Sequence, residues 1–383
     1  MGKKGSDMLQ YGLMIIGIAG GWLGYSYINQ LSDQAGWGFS RVLVVILITV
    51  AALIIGMLLN IILHEAGHLI GGLLTGYRFA AFCVFKLTIM KDNGKLAVKK
   101  CGVPGTSGFC VTSPPDMRNG TYPHKLYISS GFLVNFLVSA GSFGLFCYLA
   151  GTADSWARAF LIAGIVGAFL GLVNFIPTSV GGAFSDGYAL FNMNKEKNAG
   201  ARRGCWSVFR VYALDTQGVR PRDIPAELFD WVDTSDINDI FVLATALNQY
   251  KYLLDRREMD KAEALMQALC DNQHSVFETQ KRSCYCDLLF HELIGECRQE
   301  ELARLFTKEL RAYTEAARSD FCVQRIMYAY ARLALKDAAK AKEYLDSFHK
   351  TCASSIWSGA AIAEHELIAL VDSIAGEREN AMG

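Results

Sequence analysis

The chain lacks an excess of charge of either sign. Its 383 residues contain 37 Lys or Arg and 37 Asp or Glu, so the formal net charge is zero. No basic stripe with interleaved aromatic residues is present, which excludes nucleic acid as an expected partner. Charged residues are also few, at 19% of the chain against 52% hydrophobic residues. This composition argues against a uniformly soluble protein.

The few charges are unevenly distributed along the chain. Residues 1–194 hold 12 Lys or Arg and 7 Asp or Glu, whereas residues 195–383 hold 25 and 30. The first half therefore has a membrane-like composition and the second half a soluble one. We predict a transmembrane domain over residues 1–194 and a cytosolic domain over residues 195–383.

Proline and glycine are scarce in the second half. No proline follows Pro225, and only 4 of the 36 glycines do, so helices can run there without interruption. Three similar segments, 261–266, 301–306 and 340–345, begin 40 and 39 residues apart. This period predicts a C-terminal α-solenoid, loosely similar to tetratricopeptide-like repeats. We expect it to bind a protein partner; the alternative is that it only packs on the cytosolic face and stabilises the membrane core.

Regular cysteine spacing is also absent. The chain has 11 cysteines, an odd number, and the seven in its second half are scattered. This pattern does not indicate a disulfide framework, and it favours reduced thiols in the cytosol.

The first half of the chain does contain long uncharged segments. A membrane-spanning helix needs about 20 mostly apolar residues, and four segments meet that length: 8–31, 42–63, 126–153 and 159–177. The first follows Lys3 and Lys4, so a signal peptide is the alternative, but its apolar run is long and no cleavage site stands out. We predict a mostly α-helical, polytopic membrane protein with about four transmembrane helices and the lipid bilayer as a partner.

The segment joining the second and third apolar segments, residues 76–125, differs from its surroundings in charge and pattern. It carries most of the basic residues of the first half. By the positive-inside rule this connector, the N-terminus and the C-terminal domain are cytosolic. Its β-prone runs, 79–90, 96–100 and 108–112, with a turn at residues 92–94, predict a small membrane-associated β-sheet.

A five-residue pattern at the end of the second apolar segment carries most of the chemical information. His64 and His68 are four residues apart and share one face of a helix, so both imidazoles can bind one Zn²⁺ while Glu65 acts as general base. The alternative is an interfacial helix end with polar residues. Because ionisable groups at or inside a bilayer are costly and usually functional, we favour a metal site.

A catalytic zinc site needs a third protein ligand. Asp186 is the best candidate, because Pro177 ends the fourth apolar segment and Gly187 permits a tight return of the chain. A helix-terminal cap is an equally good explanation of this aspartate. If Asp186 is not the ligand, Asp116 and His124 of the connector are the next candidates.

Three motifs occur together: His64-Glu65-x-x-His68, Asn174-x-x-Pro177 and Asp186-Gly187. Their combination resembles the site-2 protease family of intramembrane zinc metalloproteases over about residues 43–190. Gly131 and Asn135 also resemble a Gly-x-x-x-Asn element of that family, without the proline that often follows the glycine. The resemblance implies that Asp186 is the third zinc ligand. Eight residues separate Pro177 from Asp186, more than is usual in the family. The ligand loop, which we define as residues 178–185, must therefore be larger than its counterpart in the family.

The resemblance also implies a function. We expect a zinc-dependent intramembrane endopeptidase in a bacterial cell membrane that cleaves membrane-embedded or hydrophobic peptide substrates, either to regulate a membrane-anchored protein or to mature a signal or leader peptide. Glu65 would be the catalytic base, and an edge strand of the connector would hold the substrate extended. Asn174 would position the substrate or stabilise the oxyanion. Asn135 could do the same, or it could form an interhelical hydrogen bond.

A different class of protein fits the same residues. A non-catalytic membrane receptor or scaffold could hold zinc as a structural ion and act through its protein-binding solenoid. The glutamate between the two histidines favours the enzyme, since a structural site does not need it.

Overall fold

The computed structural model of the protein describes residues 38–381, apart from residues 93–94, 104–105, 151, 153, 181–182, 196–197, 235–236, 238 and 273–277. The described chain is mostly helical and divides into two compact units. One comprises the described residues up to Gly71 together with His124–Phe191, and the other comprises Gly72–Pro123 together with the residues from Asn192 onward. The predicted transmembrane segment 8–31 lies outside the described residues.

Three long helices dominate the first unit: α1 (Phe39–Leu74), α2 (His124–Leu149) and α3 (Asp154–Phe175). They contain candidate membrane spans at Val42–Leu74, His124–Leu149 and Trp156–Phe175, long and apolar enough to cross a bilayer. Each of the predicted segments 42–63, 126–153 and 159–177 therefore overlaps one long apolar helix, although the helices begin and end at other residues. Many leucine and isoleucine side chains of α1 are exposed, as expected of a helix that faces lipid.

Helix α1 continues 11 residues beyond the predicted end at Leu63. It ends where Gly76 takes a left-handed φ of 86°. There the Tyr77 N–H donates to the Gly72 carbonyl at 2.9 Å and the Gly76 N–H to the Leu73 carbonyl at 3.3 Å. This is the Schellman pattern, in which glycine satisfies the last carbonyls of a helix. The histidine motif therefore lies inside a helix rather than at its end.

Glycines set the close approach between the helices of the first unit. A Cβ atom on Gly67 of α1 would overlap the Ser130 carbonyl of α2. Likewise, a Cβ atom on Gly171 of α3 would lie 2.8 Å from the Phe136 ring, and one on Gly167 would lie 3.1 Å from the Asn135 carbonyl. Small residues let helix backbones pack closely in a membrane, where packing drives helix association.

The second unit contains a four-stranded antiparallel sheet with strand order β3-β2-β1-β4. The strands are β1 (Arg78–Val84), β2 (Leu87–Asp92), β3 (Lys95–Lys99) and β4 (Gly108–Ser113). The predicted small sheet is therefore present, but the run at 79–90 forms two strands instead of one. Phe85 has a φ of 54° and makes a tight turn that pairs Val84 with Leu87, a local conformation that the alternating pattern did not indicate.

One face of this sheet packs against the C-terminal half of the chain. Its buried core also includes Ala213 of helix α5 (Ala199–Asp215) and Ile356. Trp357 packs against this core. The centroid of its ring lies 4.8 Å from that of Tyr212 and 6.2 Å from that of Phe109. The connector and the tail therefore share one hydrophobic core. The sheet residues of that core are Ala80, Ala81, Met90 and Val111, with Cys101 beyond β3.

A two-stranded hairpin and the helices of the tail are the remaining elements. Strands β5 (Ser179–Val180) and β6 (Ala183–Phe184) form a hairpin before helix α4 (Asp186–Met193). The described residues of the tail continue, after two 3₁₀ turns, with eight α-helices: α6 (Ile240–Asp255), α7 (Met259–Asp271), α8 (Glu278–Ile294), α9 (Gln299–Leu305), α10 (Lys308–Ala316), α11 (Phe321–Ala329), α12 (Ala338–Ala353) and α13 (Ser358–Asn380).

The three similar sequence segments occupy equivalent helical positions. Each begins two residues after the first residue of its helix, which is α7, α9 or α12. The second residue of each segment is buried: Ala262, Leu302 and Ala341. The sequence similarity therefore reflects a shared pattern of helix start and burial.

Truncation of Ile356 tests whether the tail supports the sheet. The Ile356 side chain is fully buried and Ile362, on α13, is 46% exposed. We expect Ile356→Ala to lower the unfolding free energy of the sheet by about 2–5 kcal/mol, the usual cost of a core cavity. Hydrogen exchange of the β1 and β4 amides in the intact protein measures this. Ile362→Ala should leave that exchange unchanged, and equal effects of the two variants would contradict the shared core.

Candidate metal centre

Helix α1 brings the two motif histidines together. His64 and His68 lie one turn apart, and their Nε2 atoms are 3.2 Å from each other. The ring planes are nearly perpendicular, at 85°. Both side chains are largely removed from solvent. Two imidazole nitrogens of one helix therefore point at a single position.

The chain after α3 returns Asp186 to the same position. Its Oδ2 atom lies 3.2 Å from Nε2 of His64 and 3.3 Å from Nε2 of His68. The structure thus brings the three predicted ligands into one group. Among the residues that the structure describes, this is the one group of three or more histidine, cysteine or acidic side chains that could hold a metal ion.

Two neighbours of Asp186 hold the ligand loop in place. The Ser185 hydroxyl donates to the Ile176 carbonyl at 2.7 Å and accepts from the Tyr188 N–H at 3.1 Å, which makes Ser185 the cap of α4. A Cβ atom on Gly187 would overlap the Phe175 carbonyl at the end of α3. Since Ser185 supplies the capping side chain, the carboxylate of Asp186 is available as a ligand.

The hydrogen bonds of Nδ1 fix the tautomer of each imidazole. Nδ1 of His68 lies 2.8 Å from the Tyr127 carbonyl, which can only accept, so this nitrogen carries the hydrogen. Nδ1 of His64 lies 2.7 Å from Oδ1 of Asn135. The Asn135 amide nitrogen donates to the Asn60 carbonyl at 3.0 Å, which turns its oxygen toward His64. Both histidines therefore donate through Nδ1, and each presents a lone pair at Nε2 when its ring is neutral.

Three electron pairs thus converge at the centre of the group. Oδ2 of Asp186 is buried and accepts no hydrogen bond from the described part of the chain. A neutral imidazole that carries its hydrogen on Nδ1 has no hydrogen on Nε2 to donate to this carboxylate oxygen. Three acceptors at 3.2–3.3 Å repel one another unless a metal ion or an added proton lies among them. The arrangement could therefore hold a metal ion.

The spacing suits a small divalent cation. Zinc bonds of about 2.0–2.1 Å in a tetrahedral arrangement separate neighbouring ligand atoms by about 3.3 Å. The three observed separations are 3.2, 3.2 and 3.3 Å. Two imidazoles and one carboxylate are also a common donor set for zinc.

The charge of the carboxylate supports this role. Burial by itself raises the pKa of Asp186, whereas a positive charge beside it, as on a protonated His68 or His64, lowers that pKa well below its ordinary value. A cation held between the three ligand atoms supplies the same kind of positive charge and keeps the carboxylate ionised.

The Gly-x-x-x-Asn element of α2 has two separate roles at this centre. A Cβ atom on Gly131 would overlap Nε2 of His68 and lie 2.8 Å from Cε1 of His64, so only glycine leaves room for the rings. Asn135, one turn later and fully buried, orients His64. Of the two functions considered for Asn135, the structure shows the interhelical hydrogen bond, and this bond fixes a ligand.

The other predicted residues have different surroundings. Glu65 is half-buried on the same helical turn as the ligands. Asn174 donates from its amide nitrogen to the Leu170 carbonyl of its own helix at 3.0 Å, and its catalytic role stays a prediction. Asp116 is 85% exposed and pairs with Arg210. Neither Asp116 nor His124 belongs to the group of three ligands.

Sequence reasoning missed two contributors. Asn60 is buried and lies one turn before His64 on α1, where it accepts from Asn135. Its spacing of four residues from His64 and its polarity within an apolar segment were a usable signal. The Tyr127 carbonyl, which fixes His68, gave no signal because a backbone atom carries no residue identity.

Comparison with known proteins finds no match, whether with a family model, a curated protein or a solved structure.

Alanine at Gly131 tests the fit of the rings. We expect Gly131→Ala to displace both imidazoles and to lower metal affinity by at least about tenfold, as second-sphere changes commonly do. The matched control is Gly141→Ala on the same helix, where a Cβ atom meets nothing within 4 Å. Metal content of the purified proteins, measured during competition with a chelator, reads out the difference. Parental affinity in Gly131→Ala would contradict the site.

Alanine at Asp186 tests the third ligand. We expect Asp186→Ala to lose bound metal during purification, because two imidazoles alone are an incomplete site. Asp116→Ala removes a carboxylate of the connector and should retain the parental metal content. If Asp186→Ala kept one equivalent of zinc as tightly as the parent, another residue would be the ligand.

Proposed function

We propose that this protein is a zinc-dependent intramembrane endopeptidase of the site-2 protease type. The observation that carries the proposal is the three-ligand centre with a glutamate on the same helical turn. Structural zinc sites usually have four protein ligands, whereas catalytic sites have three and leave a position for water or substrate. Three candidate ligands meet here among the described residues, which supports a catalytic site over a structural one.

The chemistry of such a site divides between the ion and the chain. A bound Zn²⁺ supplies Lewis acidity and lowers the pKa of water. In the proposal, the Glu65 carboxylate accepts a proton from the attacking water and delivers it to the leaving amide nitrogen, so that this nitrogen departs as a neutral amine. His64, His68 and Asp186 would hold the ion.

Stabilising the charge that develops on the substrate carbonyl oxygen needs a separate donor. Both the oxygen and the nitrogen of the Asn135 amide already have partners, in His64 and Asn60. The Asn174 amide nitrogen carries two hydrogens, and the Leu170 carbonyl accepts one of them, so we assign the oxyanion role to the second. In a low-dielectric site such a donor contributes strongly to catalysis.

The placement of the centre suggests the substrate. His64 and His68 belong to the helix that carries the candidate span Val42–Leu74, so a membrane-embedded or hydrophobic peptide is the substrate that can reach them. Such a segment must be unwound before cleavage, because helical hydrogen bonds shield its carbonyl groups. Cleavage would serve either regulated proteolysis of a membrane-anchored protein or maturation of a signal or leader peptide.

Strand β3 is a candidate for holding the unwound segment. It lies at one edge of the four-stranded sheet and pairs with β2 on one side. Leu96 and Val98 on this strand are 69% and 65% exposed. An extended apolar peptide can add to such an edge through backbone hydrogen bonds and cover these side chains.

We also propose a cellular location for the protein and a role for its tail. The basic connector favours a cytosolic position for itself, the N-terminus and the C-terminal domain of a multi-pass protein in a bacterial cell membrane. The helix pairs of the tail are proposed to stack as an α-solenoid that binds a protein partner. Because the connector sheet packs on tail residues Ala213 and Ile356, deleting the tail would also disturb the connector. Partner binding should therefore be tested with surface substitutions in the intact chain.

Replacing the catalytic base tests the enzyme proposal. We expect Glu65→Gln to keep bound metal and fold but to lower cleavage by at least about 10²–10⁴-fold, because glutamine cannot accept the proton. The measurement is quantitative mass spectrometry of membrane peptides in cells that produce either protein, paired with the zinc content of each. Glu263→Gln, an exposed glutamate on α7, is the control and should behave as the parent.

Two results would contradict the proposal. Undiminished cleavage by Glu65→Gln would exclude this residue as the base. An identical set of membrane peptides in cells with and without the parent protein would instead favour the receptor or scaffold with a structural zinc ion.

A further inference from the structure

The second unit contains a cavity of about 830 Å³ beside the start of the connector sheet. Three arginines line it, Arg78, Arg118 and Arg210, together with one acidic residue, Asp116. Three positive charges against one negative charge leave the lining with an excess of two positive charges. None of these residues belongs to the metal centre described above.

One of the three guanidinium groups is rigidly held. Arg210 of α5 pairs with Asp116 and donates from Nε to the Pro114 carbonyl at 3.2 Å. Its guanidinium lies over the Trp206 ring, 4.4 Å from the ring centroid. Trp206 is itself fixed, because its indole N–H donates to the Pro115 carbonyl at 2.8 Å. A pre-positioned guanidinium loses little freedom when it binds an anion.

The other two guanidinium groups form no ion pair with the described residues. Within the described part of the chain, neither Arg78 nor Arg118 makes an ion pair. Arg118 also sits on a tight turn, where its N–H donates to the Thr121 carbonyl at 2.8 Å and its carbonyl accepts from the Thr121 N–H at 3.1 Å. Several guanidinium groups around one cavity match the acceptor oxygens of a phosphate group, which binds arginine through paired hydrogen bonds.

The position of the cavity along the chain indicates where that phosphate comes from. Gly76, on the cavity wall, follows the last residue of α1 by two positions, and Pro123 immediately precedes α2. Both helices are candidate membrane spans. Basic residues next to the ends of spanning helices lie at the level of the lipid headgroups and attract anionic lipids.

We infer that this cavity binds the phosphate of an anionic phospholipid headgroup. The inference rests on the membrane placement that is part of the proposed function, but not on proteolysis or on the metal. Such a lipid would anchor the connector at the bilayer surface, next to the helix ends that it joins.

The test uses the full-length protein reconstituted in vesicles of phosphatidylglycerol and phosphatidylcholine, followed by native mass spectrometry of the lipid retained. We expect the parent to retain phosphatidylglycerol in preference to phosphatidylcholine. The double variant Arg78→Gln/Arg118→Gln should retain at least about tenfold less phosphatidylglycerol than the parent. The matched control is Lys91→Gln/Lys95→Gln, which removes two exposed positive charges from β2 and β3 of the same connector, outside the cavity. The control should retain the lipid as the parent does.

A second arm separates the lipid from free phosphate. Inorganic phosphate alone is titrated against the lipid-free parent protein in detergent. Arginine-dependent binding of inorganic phosphate without any preference for phosphatidylglycerol would overturn the lipid assignment. Equal lipid retention by the parent and both double variants would overturn the site itself.

Zinc content and peptide cleavage, measured on the same preparations, distinguish this inference from the proposed function. A cavity that binds no lipid in a protein that still cleaves peptides contradicts the inference alone. A protein that binds lipid through the arginines but cleaves nothing contradicts the proteolysis and leaves the lipid site in place.

Discussion

Two imidazole nitrogens and one carboxylate oxygen lie within 3.2–3.3 Å of one another, and each presents an electron pair to the same point. Without a cation this arrangement would be repulsive, and buried polar atoms without a partner are costly. Most of the distinctive features of the first unit follow from the need to maintain it. His64 is oriented by Asn135, His68 is oriented by the Tyr127 carbonyl, and the loop that carries Asp186 is tied to the end of α3.

The same constraint accounts for the small residues on the helices. A metal ligand can be oriented by a neighbouring helix only if the two backbones approach closely. Gly67 allows α1 and α2 to do so, and Gly131 leaves space for the rings that Asn135 then positions. Glycine is usually a poor helix residue, so its presence at these two positions reflects a demand for space that outweighs local propensity.

The second unit depends on packing between the connector sheet and the tail, and not on a metal site. Its sheet is too small to bury both faces by itself, and helix α5 together with Ile356 covers one of them. Two of its exposed features are an apolar edge strand and a basic cavity, which suit an apolar peptide and an anionic headgroup respectively. In the proposed function both lie on the connector between two membrane helices, where substrate and lipid would be encountered together.

The sequence alone determined the features that depend on local spacing. The four-residue interval between His64 and His68 places them on one helix face, and long uncharged segments predict helices, three of which are described. A small sheet was predicted from three β-prone runs, but the turn at Phe85 that divides the first run and gives four strands was not, because its left-handed φ leaves no clear sequence signal. Asp186 was identified as a candidate ligand, with a cap as its equal alternative.

Only the tertiary structure resolved what depends on contacts between distant segments. It showed that Ser185 is the cap and Asp186 faces the histidines, and that Asn135, 71 residues from His64 in sequence, fixes its tautomer. The packing of Ile356 on the connector sheet could not be read from either segment separately. Periodicity reports which face of an element is apolar or polar, but not which other element will meet that face. Which element meets a given face depends on the packing of the whole chain. There the shapes and polarities of all contacting faces must be compatible at the same time.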